Sequence, residues 1–308
     1  MMSTRGTNCN DDGIIVIDKP GNMSSAKVVA RVKSALGAKK VGHTGTLDPF
    51  ATGVLICCIN RATRLARFFL HGDKAYEATL RLGIETDTQD ATGAVISENE
   101  VADISKGRLA DVFQTFEGWM DQVPPAYSAL KHKGVPLYKL ARQGTPVKKP
   151  ARKVCISSIR ILEIDFPHIR FGVHCSAGTY IRTLCADIGK VLGCGGHLEA
   201  LRRTRSSGFT LDDAFSLSRL EQVTGQGDVA DRMIDMTQAL QGMEMVVADS
   251  HLAQKIAHGI TLTGKDVVVK GLQHGDRYVK IVGSAHELLA VVQLKKARKR
   301  YDYCCVFQ

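Results

Sequence analysis

Residues 42–55 of the chain read Gly42-His43-Thr44-Gly45-Thr46-Leu47-Asp48-Pro49-Phe50-Ala51-Thr52-Gly53-Val54-Leu55. One carboxylate, Asp48, stands among glycine, threonine and proline, and the apolar run from Val54 to Ile59 predicts a buried strand directly after it. An aspartate before a proline is typical of a helix start, with the aspartate as N-cap. The alternative is a nucleophilic carboxylate that the neighbouring glycines leave open to a flat substrate. The sequence leaves both readings of Asp48 open.

The composition describes a folded and basic protein. The chain has 308 residues and 44% hydrophobic residues, which indicates one large domain with a small one, or two of medium size. Lysine and arginine number 41 against 31 acidic residues, so the net charge is +10 and the pI is about 9.2. This charge indicates either an ordinary basic surface or a polyanionic partner such as a nucleic acid.

Several function classes are excluded by what the sequence lacks. The nine cysteines form no Cys-x-x-Cys pair, so neither a zinc site nor a disulfide framework is predicted, and no cofactor or metal is expected. No Walker loop is present, which argues against a nucleotide hydrolase. The polar N-terminus has no signal core, and no stretch reaches the length of a membrane span. We therefore expect a cytoplasmic protein without membrane contact.

The apolar periodicity predicts a mixed α/β domain with a substantial sheet. Ser24 or Ser25 is expected to cap the first helix and Gly37 to end it. Strands are predicted over 13–18, 54–59, 76–82, 154–164 and 169–175, and further helices over 103–117 and 181–192.

Two segments depart from this pattern. Residues 121–150 hold five prolines and six basic residues, which indicates a basic excursion from the main body. Residues 212–240 read as polar helix. From Met243 the pattern restarts with a short helix over 250–258 and three or four short strands, which predicts a second, mostly β module.

Four further features have both a structural and a functional interpretation. The turn at Lys19-Pro20-Gly21-Asn22 is either plain or faces a phosphate. Tyr76 is either a core residue or a ring on which a base stacks. Arg182 lies near a helix start, where the helix dipole disfavours a cation, so it is either solvated or paired with an acid such as Asp48. Residues 201–205 form a basic patch, either a solvated surface or a contact for an acidic partner.

Taken together, these motifs resemble the TruB family of bacterial tRNA pseudouridine synthases, which modify the T-loop uridine of tRNA. The resemblance spans residues 13–215, and residues 243–308 are similar to the family's small PUA-like RNA-binding module. One departure is that Asn22 stands where the family pattern has glycine, but asparagine also tolerates a left-handed backbone. The motifs that carry the resemblance are residues 42–49, 74–77, 82–93, 122–131 and 178–182.

The resemblance implies a fold and a division into domains. The fold is expected to be α/β, with a mixed and largely antiparallel central sheet flanked by helices. The catalytic domain would comprise residues 1–240, with a thumb insertion at about 121–150 that closes on the T-arm. Residues 243–308 would form the PUA-like domain.

The resemblance also implies the role of each site residue. Asp48 would be the nucleophile, and Arg182 would pair with it, lower its pKa and keep it ionised. Tyr76 would stack on the extruded uracil and help in proton transfer. The substrate-binding set consists of His43, which would push into the T-loop, Tyr180 and Leu201, which would line the uridine pocket, Tyr76 and Lys19.

The expected partner is the T-arm of tRNA, bound by a monomer, with no protein partner and no cofactor implied. The expected reaction converts uridine-55 to pseudouridine after base flipping. Two alternatives stay open: a non-catalytic RNA-binding or tRNA-folding protein, and a guide-RNA-dependent pseudouridine synthase.

Overall fold

A computed structural model describes residues 11–101, 103–223, 232–268, 278–295 and 300–307. Of the strands up to residue 216, ten belong to one sheet, and the other four form two separate hairpins, Ile84–Thr86 with Val95–Glu98 and Lys131–His132 with Val135–Pro136. The strands up to residue 216 are β1 (Gly13–Lys19), β2 (Val41–His43), β3 (Thr52–Ile59), β4 (Lys74–Leu82), β5 (Ile84–Thr86), β6 (Val95–Glu98), β7 (Gly118–Gln122), β8 (Lys131–His132), β9 (Val135–Pro136), β10 (Arg152–Asp165), β11 (His168–Cys175), β12 (Gly196–Ser206), β13 (Phe209–Thr210) and β14 (Phe215–Ser216).

The large sheet is mixed and largely antiparallel, as predicted. Its strand order is β14-β1-β3-β12-β4-β11-β10-β7, with β2 beside β3 and β13 beside β12. The pairs β1–β14 and β3–β12 are parallel, and the other pairs of this sheet are antiparallel. The predicted pairing of residues 154–164 with 169–175 is confirmed as the β10–β11 hairpin.

Helices cover the sheet, and the first begins and ends where the sequence predicted. The Ser24 side chain accepts a hydrogen bond from Lys27 N, and Gly37 ends the helix at φ 59°. Asn22 has φ 57°, so it adopts the left-handed backbone expected of it. The helices are α1 (Ser25–Leu36), α2 (Ala66–Leu70), α3 (Lys106–Gln114), α4 (Leu137–Arg142), α5 (Ile181–Leu192), α6 (Leu217–Val223), α7 (Met236–Ala239) and α8 (Ser250–Ala257), with a 3-10 helix over Asn60–Leu65.

The core over the middle of the sheet carries the elements that later form the site. Helices α3 and α5 pack on the face formed by β4, β10, β11 and β12, and Phe113 of α3 meets Phe171 of β11 edge to face at 5.3 Å. Helix α5 has the bounds that its apolar spacing predicted. This packing fixes the start of α5, and with it Arg182, at the end of the sheet.

The structure decides against two of the open interpretations and corrects one predicted helix. No helix follows Asp48: Ala51 N donates to Asp48 O at 3.1 Å, which closes a turn before β3. Residues 201–205 are not a solvated patch but part of β12, a central strand in which Arg203 is 1% exposed. Of the predicted helix over 212–240, the structure shows α6 and α7, and residues 224–231 lie outside the described part.

The C-terminal module is a second sheet of five strands. Four of them follow α8, in agreement with the three or four strands predicted after the short helix, and one precedes it. The module packs against the catalytic sheet, since Leu288 and Phe307 share one core cluster with Ile14 and Val54. Its strands are β15 (Glu244–Val247), β16 (Leu262–Thr263), β17 (Tyr278–Val282), β18 (Leu288–Lys295) and β19 (Arg300–Val306), and their order in the sheet is β15-β17-β18-β19-β16. Among the described residues, every helix is too short or too polar to traverse a lipid bilayer.

Candidate active site

A cavity of about 300 Å³ opens at the end of the large sheet where β4 begins. Five of the seven residues that the sequence singled out line it, although they lie far apart along the chain. They are Asp48, Tyr76, Tyr180, Arg182 and Leu201. Ala129 and Leu130, from the basic excursion between β7 and β10, also line the cavity. The excursion therefore reaches the site.

The Asp48 loop is held from below by the first helix. Ser25, the first residue of α1, binds Leu47 twice: its hydroxyl donates to Leu47 O at 3.1 Å and accepts from Leu47 N at 2.9 Å. Met23 N donates to Pro49 O at 3.2 Å. The loop that carries the carboxylate is thus fixed on both sides of Asp48.

Lys19 supports the same loop and has no surface to offer a phosphate. Its side chain is fully buried, and its ammonium donates to Pro20 O at 2.8 Å, Pro49 O at 3.1 Å and Ala51 O at 2.6 Å. Burial lowers its pKa to about 8, while the charge of Asp48 acts in the opposite direction. The phosphate-facing reading of this turn is therefore corrected: Lys19 points into the protein and holds the Asp48 loop from within.

Arg182 contacts the Asp48 carboxylate, the acidic partner that its position suggested. Its Nε lies 3.0 Å from Asp48 Oδ2, although the arginine sits in the first turn of α5 and is 3% exposed. Nη1 donates to Thr88 O at 3.0 Å and Nη2 to Tyr127 O at 2.8 Å. Two loops and the excursion thereby fix the orientation of the guanidinium.

A second carboxylate, Asp90, shares this guanidinium and was missed as a site residue. Its Oδ2 lies 3.6 Å from Arg182 Nη1, and its side chain is buried. Oδ1 accepts from the Thr88 hydroxyl at 2.8 Å and from the Thr92 hydroxyl at 2.6 Å. The dense run of threonine and aspartate over 86–92 was the available signal, because hydroxyls at this spacing can hold a buried carboxylate.

The pKa of Asp48 lies above its ordinary value, which corrects the expected net lowering. Burial raises it most. The positive charge of Arg182 and, more weakly, that of Lys19 lower it, while the neighbouring charge of Asp90 raises it. The arginine thus acts in the expected direction, but desolvation outweighs it. A carboxylate with a raised pKa is a stronger base and nucleophile once ionised.

Two aromatic residues define the walls of the cavity. Tyr76 lies on β4 and is 8% exposed, and burial raises the pKa of its phenol, while Arg203 opposes that shift. Tyr180 is fixed by Gln122 of β7, whose amide accepts from Tyr180 N at 2.7 Å and donates to Tyr180 O at 3.0 Å. The guanidinium of Arg152 lies 4.7 Å from the Tyr180 ring centroid.

His43 and Arg203 differ from their predicted settings. His43 lies on β2, outside the residues that line the cavity, and burial lowers the pKa of its ring. Arg203 lines the cavity from below: its Nε donates to Val54 O at 2.7 Å and its Nη2 to Gly45 O at 3.1 Å. Alternate residues of a strand share a face, so the position of Arg203 two residues after Leu201 was the signal that could have placed it inside.

The site combines one carboxylate on a fixed loop, a buried arginine against it and tyrosine rings around a cavity open to a flat ligand. Models of the TruB family match the chain: the N-terminal domain of TruB family pseudouridylate synthase over residues 33–181, and the tRNA pseudouridylate synthase B C-terminal domain over residues 182–248. The chain belongs to the TruB family of pseudouridylate synthases.

Curated relatives narrow the activity to tRNA. The chain is 43% identical over 252 residues to tRNA pseudouridine synthase B of Syntrophotalea carbinolica, covering 82% of each protein. It is 44% identical over 256 residues to that of Geobacter sulfurreducens, covering 83% of this chain and 84% of the relative. It is 48% identical over 222 residues to that of Francisella tularensis subsp. novicida, covering 72% and 74%. The protein is accordingly a tRNA pseudouridine synthase, an isomerase.

Solved structures share the fold. The crystal structure of a Cbf5-Nop10-Gar1 complex matches with a TM-score of 0.76 and 28% identity, covering 96% of this chain and 85% of the other. The structure of an H/ACA RNP bound to a substrate RNA containing 2′-deoxyuridine matches with a TM-score of 0.73, 26% identity and coverage of 96% and 85%. The mixed sheet with a small C-terminal β domain is thus an architecture of pseudouridine synthases.

Proposed function

We propose that this protein converts the T-loop uridine of tRNA, uridine-55, to pseudouridine, with Asp48 as the nucleophile. The observation that carries the proposal is the contact of 3.0 Å between Asp48 and the buried Arg182, on a cavity walled by Tyr76 and Tyr180. The reaction breaks the N1–C1′ bond of uridine, turns the base and forms a C5–C1′ bond. It requires one positioned nucleophile or base in a site from which water is largely excluded.

The other site residues divide between binding and catalysis. Tyr76 stacks on the extruded uracil, while Tyr180 and Leu201 line the pocket beside it. The base must leave its stack at a cost of a few kcal/mol, which ring stacking and phosphate contacts offset. His43, on β2 next to the cavity, enters the T-loop as the base is displaced; its pKa is lowered by burial, so it does so as a neutral ring.

The two sheets correspond to two domains with different roles. Residues 1–240 form the catalytic domain, the excursion at about 121–150 acts as a thumb on the T-arm, and residues 243–308 form a PUA-like RNA-binding domain. The net charge of +10 supports phosphate contacts, which make binding strongly salt-dependent. We further propose that the enzyme acts as a monomer in the cytoplasm.

Of the two alternatives, the guide-dependent mode of action has specific support, and experiment separates both from the proposed function. The Cbf5 structures are complexes with proteins, and one contains RNA, which raises a guide-dependent mode of action for this chain. A non-catalytic tRNA-binding protein would need the basic surface but not the Asp48–Arg182 pair. The similarity to curated tRNA pseudouridine synthases extends over 82% of this chain and favours the proposed function over both alternatives.

The test is pseudouridine mapping on an unmodified tRNA transcript incubated with the pure protein alone. We expect one modified position, in the T-loop, and none in a transcript with cytidine at that position. Modification only after addition of a guide RNA or a protein partner would support the second mode of action. Tight binding without any pseudouridine would support the non-catalytic one.

A further inference from the structure

Arg203 is a buried cation without a carboxylate partner at the floor of the active-site cavity. It is 1% exposed, and among the described residues it is the largest of the fully buried side chains. Its guanidinium donates to two backbone carbonyls, Val54 O and Gly45 O. In the described part of the chain, no acidic oxygen lies within ion-pair distance of it. A buried charge of this kind is costly unless something compensates it.

The fold places this charge against the Tyr76 phenol. Arg203 of β12 is the direct partner of Tyr76 of β4 in the sheet register, and its side chain interacts with the tyrosine hydroxyl. On the other side of β12, Arg203 pairs with Gly53, where the backbones approach too closely for any side chain. The strand is therefore held on both sides, and the hydrogen bonds to Val54 O and Gly45 O fix the guanidinium beside the tyrosine hydroxyl.

A tyrosine beside a cation can serve as both the acid and the base of this reaction. Pseudouridine formation moves one proton from C5 to N1 of the base overall. When Asp48 bonds to C1′ and the N1–C1′ bond breaks, the electron pair of that bond stays on the uracil, and the Tyr76 phenol can give its proton to N1. The C5–C1′ bond then forms as the Asp48–C1′ bond breaks and its electron pair returns to the carboxylate. The C5–H electron pair finally returns to the ring, and the proton passes to the Tyr76 phenolate. Tyrosine ends as it began, and no other acid or base is consumed.

We propose that Arg203 is a positioning residue for Tyr76, whose guanidinium stabilises the phenolate that exists between these two proton transfers. The inference rests on the proposed function of the site. The phenol also lies near the Asp48 carboxylate, whose negative charge disfavours the phenolate. Arg203 is the cation that acts in its favour. The transient anion in turn compensates the unpaired guanidinium.

The first experiment compares Arg203→Gln with Arg202→Gln, its neighbour on β12. Arg202 turns to the opposite face and pairs with Asp18 at 2.8 Å, so it controls for the loss of one arginine from this strand. Loss of a preorganised charge at a developing anion typically costs about 10²-fold in rate. We expect this loss in the single-turnover rate of R203Q on a T-arm transcript, with unchanged RNA affinity, and the wild-type rate in R202Q.

The second experiment separates this role from a merely structural one. 3-Fluorotyrosine incorporated at position 76 has a more acidic phenol, so it needs less help from the guanidinium. It should restore part of the rate lost in R203Q, up to about tenfold for each unit by which the phenol pKa falls, and change the wild-type rate less. In a Tyr76→Phe background, R203Q should add almost no further loss.

Three results would overturn the proposal: a wild-type rate in R203Q, equal loss in both tyrosine backgrounds, or no recovery with fluorotyrosine. If circular dichroism shows that R203Q does not fold, Arg203→Lys takes its place, because its shorter side chain withdraws the charge from the phenol. The wild-type protein is assayed in parallel. Failure of the wild type to make pseudouridine would refute the proposed function instead.

Discussion

The pH dependence of catalysis should report directly on the carboxylates around Arg182. We predict that Arg182→Gln shifts the acidic limb of the single-turnover rate to higher pH. The reactive form of Asp48 is the carboxylate, so the rate falls as the pH drops through its pKa. Burial has already raised that pKa, and the Arg182 charge opposes the rise. Removing the charge therefore raises the pKa further, and activity is lost at a higher pH than in the wild type.

The size of the shift follows from the geometry. Two charges about 4 Å apart interact by about 4 kcal/mol at an effective dielectric constant of 20, equivalent to about 3 pKa units. Arg182 Nε lies 3.0 Å from Asp48 Oδ2, but a third of the aspartate side chain is exposed, and Lys19 remains nearby. Solvent screening reduces the interaction, so we expect a shift of about 1 to 2 pH units.

The assay measures the single-turnover rate on a T-arm transcript between about pH 3.5 and pH 9, a range that includes the ordinary aspartate pKa of about 3.9 and the raised values above it. Arg182→Lys keeps the charge and should keep the limb near its wild-type position, even if its rate is lower. Asp90→Asn removes the neighbouring negative charge that raises the pKa of Asp48, so its limb should move to lower pH. An unmoved limb in R182Q, or shifts of the same sign in R182Q and D90N, would refute this electrostatic reasoning.

Two further predictions concern stability. In Gly53→Ala the new methyl group would lie 2.2 Å from Arg203 O, at a residue with φ 102°. Urea unfolding should show a loss of unfolding free energy about 2–3 kcal/mol greater than for Gly134→Ala, where φ is 84° and the space around the residue is open. Equal losses in the two variants would contradict the close approach of the backbones at Gly53. Phe307→Ala should cost about 3–5 kcal/mol and lower one common unfolding transition of both sheets, because Phe307 lies in their shared core. Trp119→Ala, at a 74% exposed position, should cost little, and separate transitions of the two sheets would count against a shared core.

The sequence allowed correct prediction of those elements whose conformation depends on neighbouring residues. Helix α5 was predictable over its whole length because its apolar spacing and Gly193 agree. The pairing of Arg182 with an acid could be suspected because a cation near a helix start needs a reason. The turn at Asn22 kept its left-handed backbone for the same kind of local reason.

The remaining features depend on contacts between distant segments. Strand β12 was missed because Arg202 and Arg203 look like surface residues, whereas the carbonyls of Val54 and Gly45, about 150 residues earlier, receive the buried guanidinium. Asp48 could be interpreted as a helix cap because an aspartate before a proline is found at helix starts as well as in turns. The Ser25 and Lys19 contacts that hold its loop in a turn are invisible in a window of sequence. The net pKa of Asp48 depends on burial, which sequence does not contain.

The most direct test of Asp48 as the nucleophile compares Asp48→Asn with the wild type on one tRNA transcript. Asparagine keeps the size and shape of the side chain but removes its charge, and Asp165→Asn, at an exposed site of β10, controls for an equal change of charge elsewhere. Pseudouridine at the T-loop position and the dissociation constant for the transcript are measured together. We predict wild-type affinity without detectable pseudouridine in D48N, and full activity in D165N. Substantial pseudouridine formation by D48N would contradict the assignment of the nucleophile.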